Sequence, residues 1–384
     1  MIGRDTQLFR LLRDSLLPCR LRYGSWLLGT ALISCVLAMT PAQAAATAVF
    51  DPLREPAPKF DLQLPAPVIG VARAGEDLIS VGPRGLIQRS TDAGVSWEQV
   101  PSPVSSDLVQ VRFRDALHGW IVGHDSVVLH SNDGGLSWTV QLDGRSLLSL
   151  LRKVYGQRAD NGDLVAQDML GEISLGMSTA ANPDVLAAPL LDVLFDASGT
   201  GFVIGAFGMI LRSSDNGASW EPWVELTDND RRMHLYALAE HQGEFFISGE
   251  QGVLMRQDPS SGHFVMLTTP YSGTFFGVRA FRDLLAVYGL RGNLFVSRDQ
   301  GQDWLQVDTG LKTSLVSAVE QGGQLILVSQ SGAMVGMDLG SLEVTSLQVA
   351  IAGEVYSASA TSRANALVVT RFSGANIVEI AEAK

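Results

Sequence analysis

Short apolar runs separated by glycine-bounded turns recur along most of this 384-residue chain. The stretch "GFVIGAFGMILRSSDNGASWEPW" shows the frame: an apolar run at Phe202–Ile204, a turn, a second run at Met209–Leu211, a polar stretch, and a short segment starting at Trp220. Runs of this length bounded by Gly, Asn and Asp predict strands joined by hairpins. The frame returns in "LISVGPRGLIQRS", "WIVGHDSVVLHS", "FFISGEQGVLMRQ", "LAVYGLRGNLFVS", "LILVSQSGAMVGM" and "ALVVTRFSGANIV", which makes seven units.

The polar stretch is itself a repeat of the form Ser-x-Asp-x-Gly-x-x-Trp. Its four full copies are Ser90, Asp92, Gly94 and Trp97; Ser131, Asp133, Gly135 and Trp138; Ser213, Asp215, Gly217 and Trp220; and Ser297, Asp299, Gly301 and Trp304. Successive aspartates stand 41, 82 and 84 residues apart, a period near 41 that marks a repeat architecture. Weaker copies fall in step at Asp258, with Phe264 in the Trp role, and at Asp338. A carboxylate and a hydroxyl ahead of a Gly can accept hydrogen bonds from turn N–H groups, and the Gly takes positive φ without a Cβ clash. The closing aromatic packs back over the turn. A repeated catalytic residue would be redundant, whereas every hairpin needs its turn, so these sixteen positions read as structural.

This pattern resembles the Asp-box of sialidase-type and related β-propellers. The fold class expected is therefore all-β, a seven-bladed β-propeller with Asp-box hairpins spanning residues 60–384. That span exceeds seven such units by about 38 residues, and the excess belongs where the period doubles. There, Leu147, Leu148, Leu151, Val154 and Tyr155, then Val165, Met169, Leu170 and Ile173, fall at helical spacing, with Asn161 and Asp163 as caps. An α-helical hairpin inserted at 145–182, between blades two and three, is expected. An extra degenerate blade is the competing reading of "LVAQDMLGEISLG".

The first 44 residues read as an export signal. Arg4, Arg10, Arg13, Arg20 and Arg22 precede an apolar run from Trp26 to Met39, and "TPAQAAATA" offers cleavage after Ala44. The run is too short to span a membrane comfortably. A lipoprotein box at "LISC" would cut before Cys35, but the apolar run continues beyond it. Both cysteines, Cys19 and Cys35, lie here, so the mature chain would hold no disulfide and stand in the periplasm or outside the cell. A Pro-rich extended lead-in at 45–59 follows. "KFDLQL" (59–64) alternates as an edge strand does, and is expected to close the ring by pairing with 376–380, because the last unit lacks an outer strand.

A net charge of −12, made more negative by loss of the arginine-rich leader, argues against nucleic acid as a partner. No phosphate loop, nucleophile elbow or HExxH motif is present, and His118, His124, His130, His234, His241 and His263 are scattered singly. The Asp-rich turns lack the spaced ligands and terminal Glu of a calcium loop. No metal and no cofactor is expected.

Two function classes remain. The resemblance to sialidases implies a glycoside hydrolase or a glycan-binding propeller, with an arginine triad and a Tyr backed by Glu. Tyr236, Tyr288 and Tyr356 lie in or near inner strands, but the Arg-Ile-Pro signature is absent from the first blade. The fuller repeat, "FRDALHGWIVGHDSVVLHSNDGGLSW" and "FDASGTGFVIGAFGMILRSSDNGASW", resembles the photosystem II stability and assembly factor family of plants and cyanobacteria and its relatives in non-photosynthetic proteobacteria. That resemblance implies a seven-bladed propeller without enzymatic activity, which binds a protein partner and supports assembly of a membrane or envelope complex. The acidic balance and the insertion depart from the photosynthetic members, which favours an envelope client. The chain is expected to be a monomer. In a propeller the turns joining second to third strands share one rim around the channel, which nominates Arg84, His124, Asp125, Phe207, Glu250, Gln251 and Arg291 as the partner-binding rim.

Overall fold

The computed structural model describes residues 50–178, 180, 182–349, 351 and 353–382; the expected leader, with Cys19 and Cys35, lies outside them. Seven antiparallel sheets follow one another along the chain. The first strand of each packs beside the first strand of the next, from Gly70–Ala74 through Leu108–Phe113, Leu190–Phe195, Leu235–His241, Phe275–Phe281 and Leu315–Gln321 to Ser357–Ala360, which returns to Gly70–Ala74. This cyclic adjacency is the expected seven-bladed propeller. Second strands such as Gly119–Gly123 and Gly201–Gly205 are buried along their whole length, because a neighbouring blade covers each face. That burial on both faces is why they read as unbroken apolar runs.

The insertion is helical, as expected, and the extra blade is not formed. Helix α1 runs Gly144–Asp160 and α2 Leu164–Ser178. Asp143 caps α1, accepting from the backbone N–H groups of Arg145 and Ser146 at 3.0 and 2.8 Å, and Asp163 accepts from Ala166 N–H at the start of α2. Helix α1 buries Leu147, Leu148, Leu151 and Tyr155. The buried stripe of α2 is Ala166, Met169, Ile173 and Met177, so Val165, expected in it, faces outward.

Ring closure differs from the expectation. Lys59–Leu64 forms no strand, and among the described residues Gly374–Glu379 pairs only with Ala366–Arg371. The reason is local: Pro58 and Pro65 flank the segment without N–H donors, Asp61 folds it into a turn by accepting from Gln63 N–H, and Phe60 N–H is taken by the Gln99 side chain at 2.8 Å. The seam is made instead between the residues just before the first inner strand and the end of the seventh blade's second strand, with Val68 N–H donating to Arg371 O and the Thr370 hydroxyl to Ile69 O. The lead-in is also less extended than expected, since Asp51–Glu55 is a hydrogen-bonded turn that buries Leu53.

Candidate functional site

The rim is built from one backbone device used repeatedly. Where the second strand ends, a Gly is required: a Cβ on Gly205 would lie 2.2 Å from Pro189 O, and on Gly289 2.1 Å from Thr274 O. The next residue donates its N–H to that same carbonyl, Ala206 to Pro189 O at 2.9 Å and Leu290 to Thr274 O at 3.1 Å. A tight turn follows whose middle residue is left-handed: Arg84, Asp125, Phe207, Gln251 and Arg291 all have φ between 51° and 59°. The left-handed turn thus recurs in five blades, and the N–H bond in four of them because Pro83 has none to give, while the side chain presented changes.

The structure gathers some of the nominated residues and separates others. Phe207, 65% exposed, accepts its place through His234, whose Nδ1 receives the Phe207 N–H at 2.8 Å and whose ring lies 5.0 Å from the Phe207 ring. The aromatic run continues through Tyr236 to Phe276. Glu250 closes the group, accepting from His234 N–H and the Tyr236 hydroxyl at 3.1 and 3.3 Å. Burial, with help from the Glu250 charge, pushes the Tyr236 phenol up to about 12, so it stays a neutral donor. Gln251 accepts from Arg231 at 2.7 Å and lines a cavity of about 480 Å³ with Asp228, Asn229, Met233, Met266 and Tyr271. Arg291 lies elsewhere, in a polar hollow with Asp308 and Lys312. Arg84 is held through its N–H to Asp107, and nothing among the described residues joins it to Arg291. His124 is exposed, and Asp125 accepts from the Ser106 hydroxyl.

Inward of the rim all seven blades line a channel of about 260 Å³, with Tyr236, Tyr288 and Tyr356 in its wall as their positions implied. Sequence reasoning did not find its charged residues. Arg112 makes a two-point contact with Asp192 at 2.9 and 2.5 Å, and Asp192, fully buried, also accepts from the N–H groups of Leu238 and Val193. Eighty residues separate the pair, and the one local hint was a charge within the apolar run "LLDVLF". Arg279 lines the same channel, and burial and then the Arg112 charge hold its guanidinium below the usual range. A sialidase-like arginine triad is not assembled here: among the described residues two guanidiniums line the channel, and one is bound to Asp192. No group of three or more His, Cys, Asp or Glu close enough to hold a metal occurs among the described residues.

At the other end of the third strand the Asp-boxes repeat both backbone and side chains. In the third blade the Ser213 hydroxyl donates to Asp215 at 2.9 Å and accepts from Gly217 N–H at 2.8 Å, while Asp215 accepts from Ser219 N–H and hydroxyl at 2.8 and 2.6 Å. Ser90 and Asp92, Ser131 and Asp133, and Ser297 and Asp299 make the same Ser-to-Asp and Gly-to-Ser bonds with Gly94, Gly135 and Gly301. Trp138 and Trp304 fold back to donate to Gly135 O and Gly301 O. Hydrogen bonds from Ser96 and Ser90 hold Asp92 down at about 2, and those from Ser260 and Ser261 do the same for Asp258.

A family model described as photosynthesis system II assembly factor YCF48 matches residues 86–150 and 183–335. That is more than half of the chain, and the match skips most of the helical insertion. The chain belongs to this family. A photosystem II assembly protein Ycf48 from Synechococcus sp. (strain JA-2-3B'a(2-13)) is 30% identical over 138 residues, 34% of this chain and 41% of that relative. A photosystem II assembly lipoprotein Ycf48 from Synechococcus sp. (strain CC9902) is 25% identical over 300 residues, 72% of this chain and 83% of the relative. The first of these matches thus spans less than half of that relative's length. Among solved structures, one titled "YCF48 bound to D1 peptide" superposes with a TM-score of 0.55 at 15% identity, covering 85% of this chain and 99% of that one; at this identity it shows the fold.

Proposed function

We propose that the chain is a non-enzymatic exported scaffold that holds a protein partner on its rim and supports assembly or stability of a membrane or envelope complex. One observation carries the rim reading. A left-handed backbone suits Gly, and other residues held there cost about 1–2 kcal/mol; yet five rim turns carry Arg84, Asp125, Phe207, Gln251 and Arg291 at that position. Four of these are exposed and make little of the core. A cost borne at four exposed positions supports a role for the side chains at a surface. Phe207 beside the Glu250–Tyr236 group and the Gln251 cavity offers an apolar anchor among fixed polar groups, the arrangement that binding hot spots favour.

Family membership supports the assembly role, and the relatives named for photosystem II assembly supply its precedent. The net charge of −12 and the insertion favour an envelope client in a non-photosynthetic host over a photosystem. Among the described residues no helix is long and apolar enough to cross a membrane. The test is crosslinking and pull-down from envelope extracts with wild-type protein and Phe207→Ser. Recovery of a defined partner that falls at least fivefold in the variant is expected, and undiminished capture by a well-folded variant would remove the rim.

A further inference from the structure

Among the described residues the seventh sheet holds three strands, where the first five sheets hold four each and the sixth holds five. The three are Ser357–Ala360, Ala366–Arg371 and Gly374–Glu379. The chain then leaves it, and Ala381–Glu382 pairs with Val344–Gln348 on the sixth sheet. The two-residue connection at 372–373 makes Arg371 and Gly374 the first hydrogen-bonded pair of their hairpin. Alternation from that pair aims the N–H and C=O groups of Ala375, Ile377 and Glu379 away from the neighbouring strand, toward the sheet's outer edge. At the start of this edge lies a groove of about 430 Å³, lined by Ser373–Asn376, residues 62–64 and Trp97.

The other sheets show what such an edge takes. Their fourth strands are short: Glu98–Val100, Thr139–Leu142, Glu221–Pro222, Phe264–Met266, Leu305–Val307 and Val344–Gln348. The first five each bury one apolar residue, Val100, Leu142, Pro222, Phe264 and Val307, and leave polar or half-exposed neighbours around it. In the seventh sheet Ile377 is only half-buried, against Val71, Leu78, Trp97 and Val368. The net charge of −12 opposes close edge-to-edge pairing of two copies and favours an occupant with neutral or basic flanks.

We propose that the outer edge of the seventh blade is a strand-addition site that takes a short extended segment of a partner protein, one aliphatic side chain among neutral or basic neighbours, as its fourth strand. Main-chain pairing supplies affinity and the single aliphatic position selectivity. The groove begins beside the seventh blade's own rim turn at 372–373 and includes none of the left-handed rim residues Arg84, Asp125, Phe207, Gln251 and Arg291.

The probe is a fluorescein-labelled peptide Lys-Thr-Thr-Gln-Leu-Lys, which follows Thr139–Leu142 with Thr in place of Val140, titrated into the full chain by anisotropy, with amide exchange read by mass spectrometry. Saturable binding is expected, at least tenfold weaker when the peptide leucine becomes Asp or when its amides are N-methylated. Exchange should slow at 374–379. Ala375→Pro removes one outward N–H from an edge strand, where Pro is tolerated, and should weaken binding at least fivefold; if that variant does not fold, the wild-type exchange pattern decides. Absence of saturable binding, protection confined to other segments, or a concentration-dependent dimer that protects 374–379 without peptide would each overturn the proposal.

Discussion

The third strand of each blade ends in two unlike ways. At its outer turn, in four blades, the side chains repeat: Ser, Asp, Gly and Trp recur because each fills a hydrogen bond or a packing position of the turn itself. At its rim turn only the backbone repeats, fixed by a Gly against a carbonyl and a left-handed residue of no constant type. The contrast separates two kinds of repetition. Where residue and geometry recur together, the residue serves the fold; where geometry alone recurs, the residue is free to serve something else.

The sharpest break of this contrast is at the rim glycines. Gly289→Val sets a side chain against Thr274 O and should cost about 3 kcal/mol, whereas Arg291→Gly, two residues on, should leave stability unchanged or raise it by up to about 1 kcal/mol. Denaturant unfolding compares the two, and equal losses would erase the distinction. Next comes the outer turn. Asp215→Ala leaves the Ser219 N–H without its acceptor and should cost about 1–3 kcal/mol with partner capture intact; lost capture at unchanged melting temperature would make the Asp-box functional.

The outer turns should also carry part of the acid response. Hydrogen bonds hold Asp92 and Asp258 down at about 2, below the usual carboxylate range, and Asp215 is lowered by its Ser219 bonds. Depressed folded pKa values contribute stability that is complete above about pH 4 and lost as pH falls toward 2. Melting temperature should therefore decline over that window, and Asp92→Asn should flatten the decline; an identical acid profile in the variant would discount the turn. The smallest stability effect is expected from Arg84→Glu with Arg291→Glu, within about 0.5 kcal/mol because both side chains are exposed, together with weaker partner capture in pull-down. A large fall in melting temperature would show that these rim residues are structural after all.

Much of the ring was legible in the sequence. Second strands buried on both faces leave apolar runs, and each box prints its hydrogen bonds as residue types. The insertion was legible through its length and its Asp163 cap. Closure was not: the alternation of Phe60, Leu62 and Leu64 suits a strand, but Asp61 turns the chain and the Gln99 side chain takes the Phe60 N–H. The candidate site was legible only as a set of turns. Its assembled parts, His234 against Phe207, Tyr236 against Glu250 and Arg112 against Asp192, join segments 14 to 80 residues apart, and no local pattern carries such pairings.

The helical hairpin bears on the cavity beside Gln251 through the loop that walls it, residues 227–234. One end of that loop is anchored by a partly buried knot, in which Glu225 accepts from the Tyr155 hydroxyl at 2.7 Å and from Arg158. The other end is tied by Arg232 to Glu172, half of whose side chain is open to solvent. Ionic strength screens the second fastening far more than the first. Concentrated salt should therefore loosen the tie at Arg232 while leaving the Glu225 anchor in place, which makes the wall of the cavity sensitive to the medium on one side only.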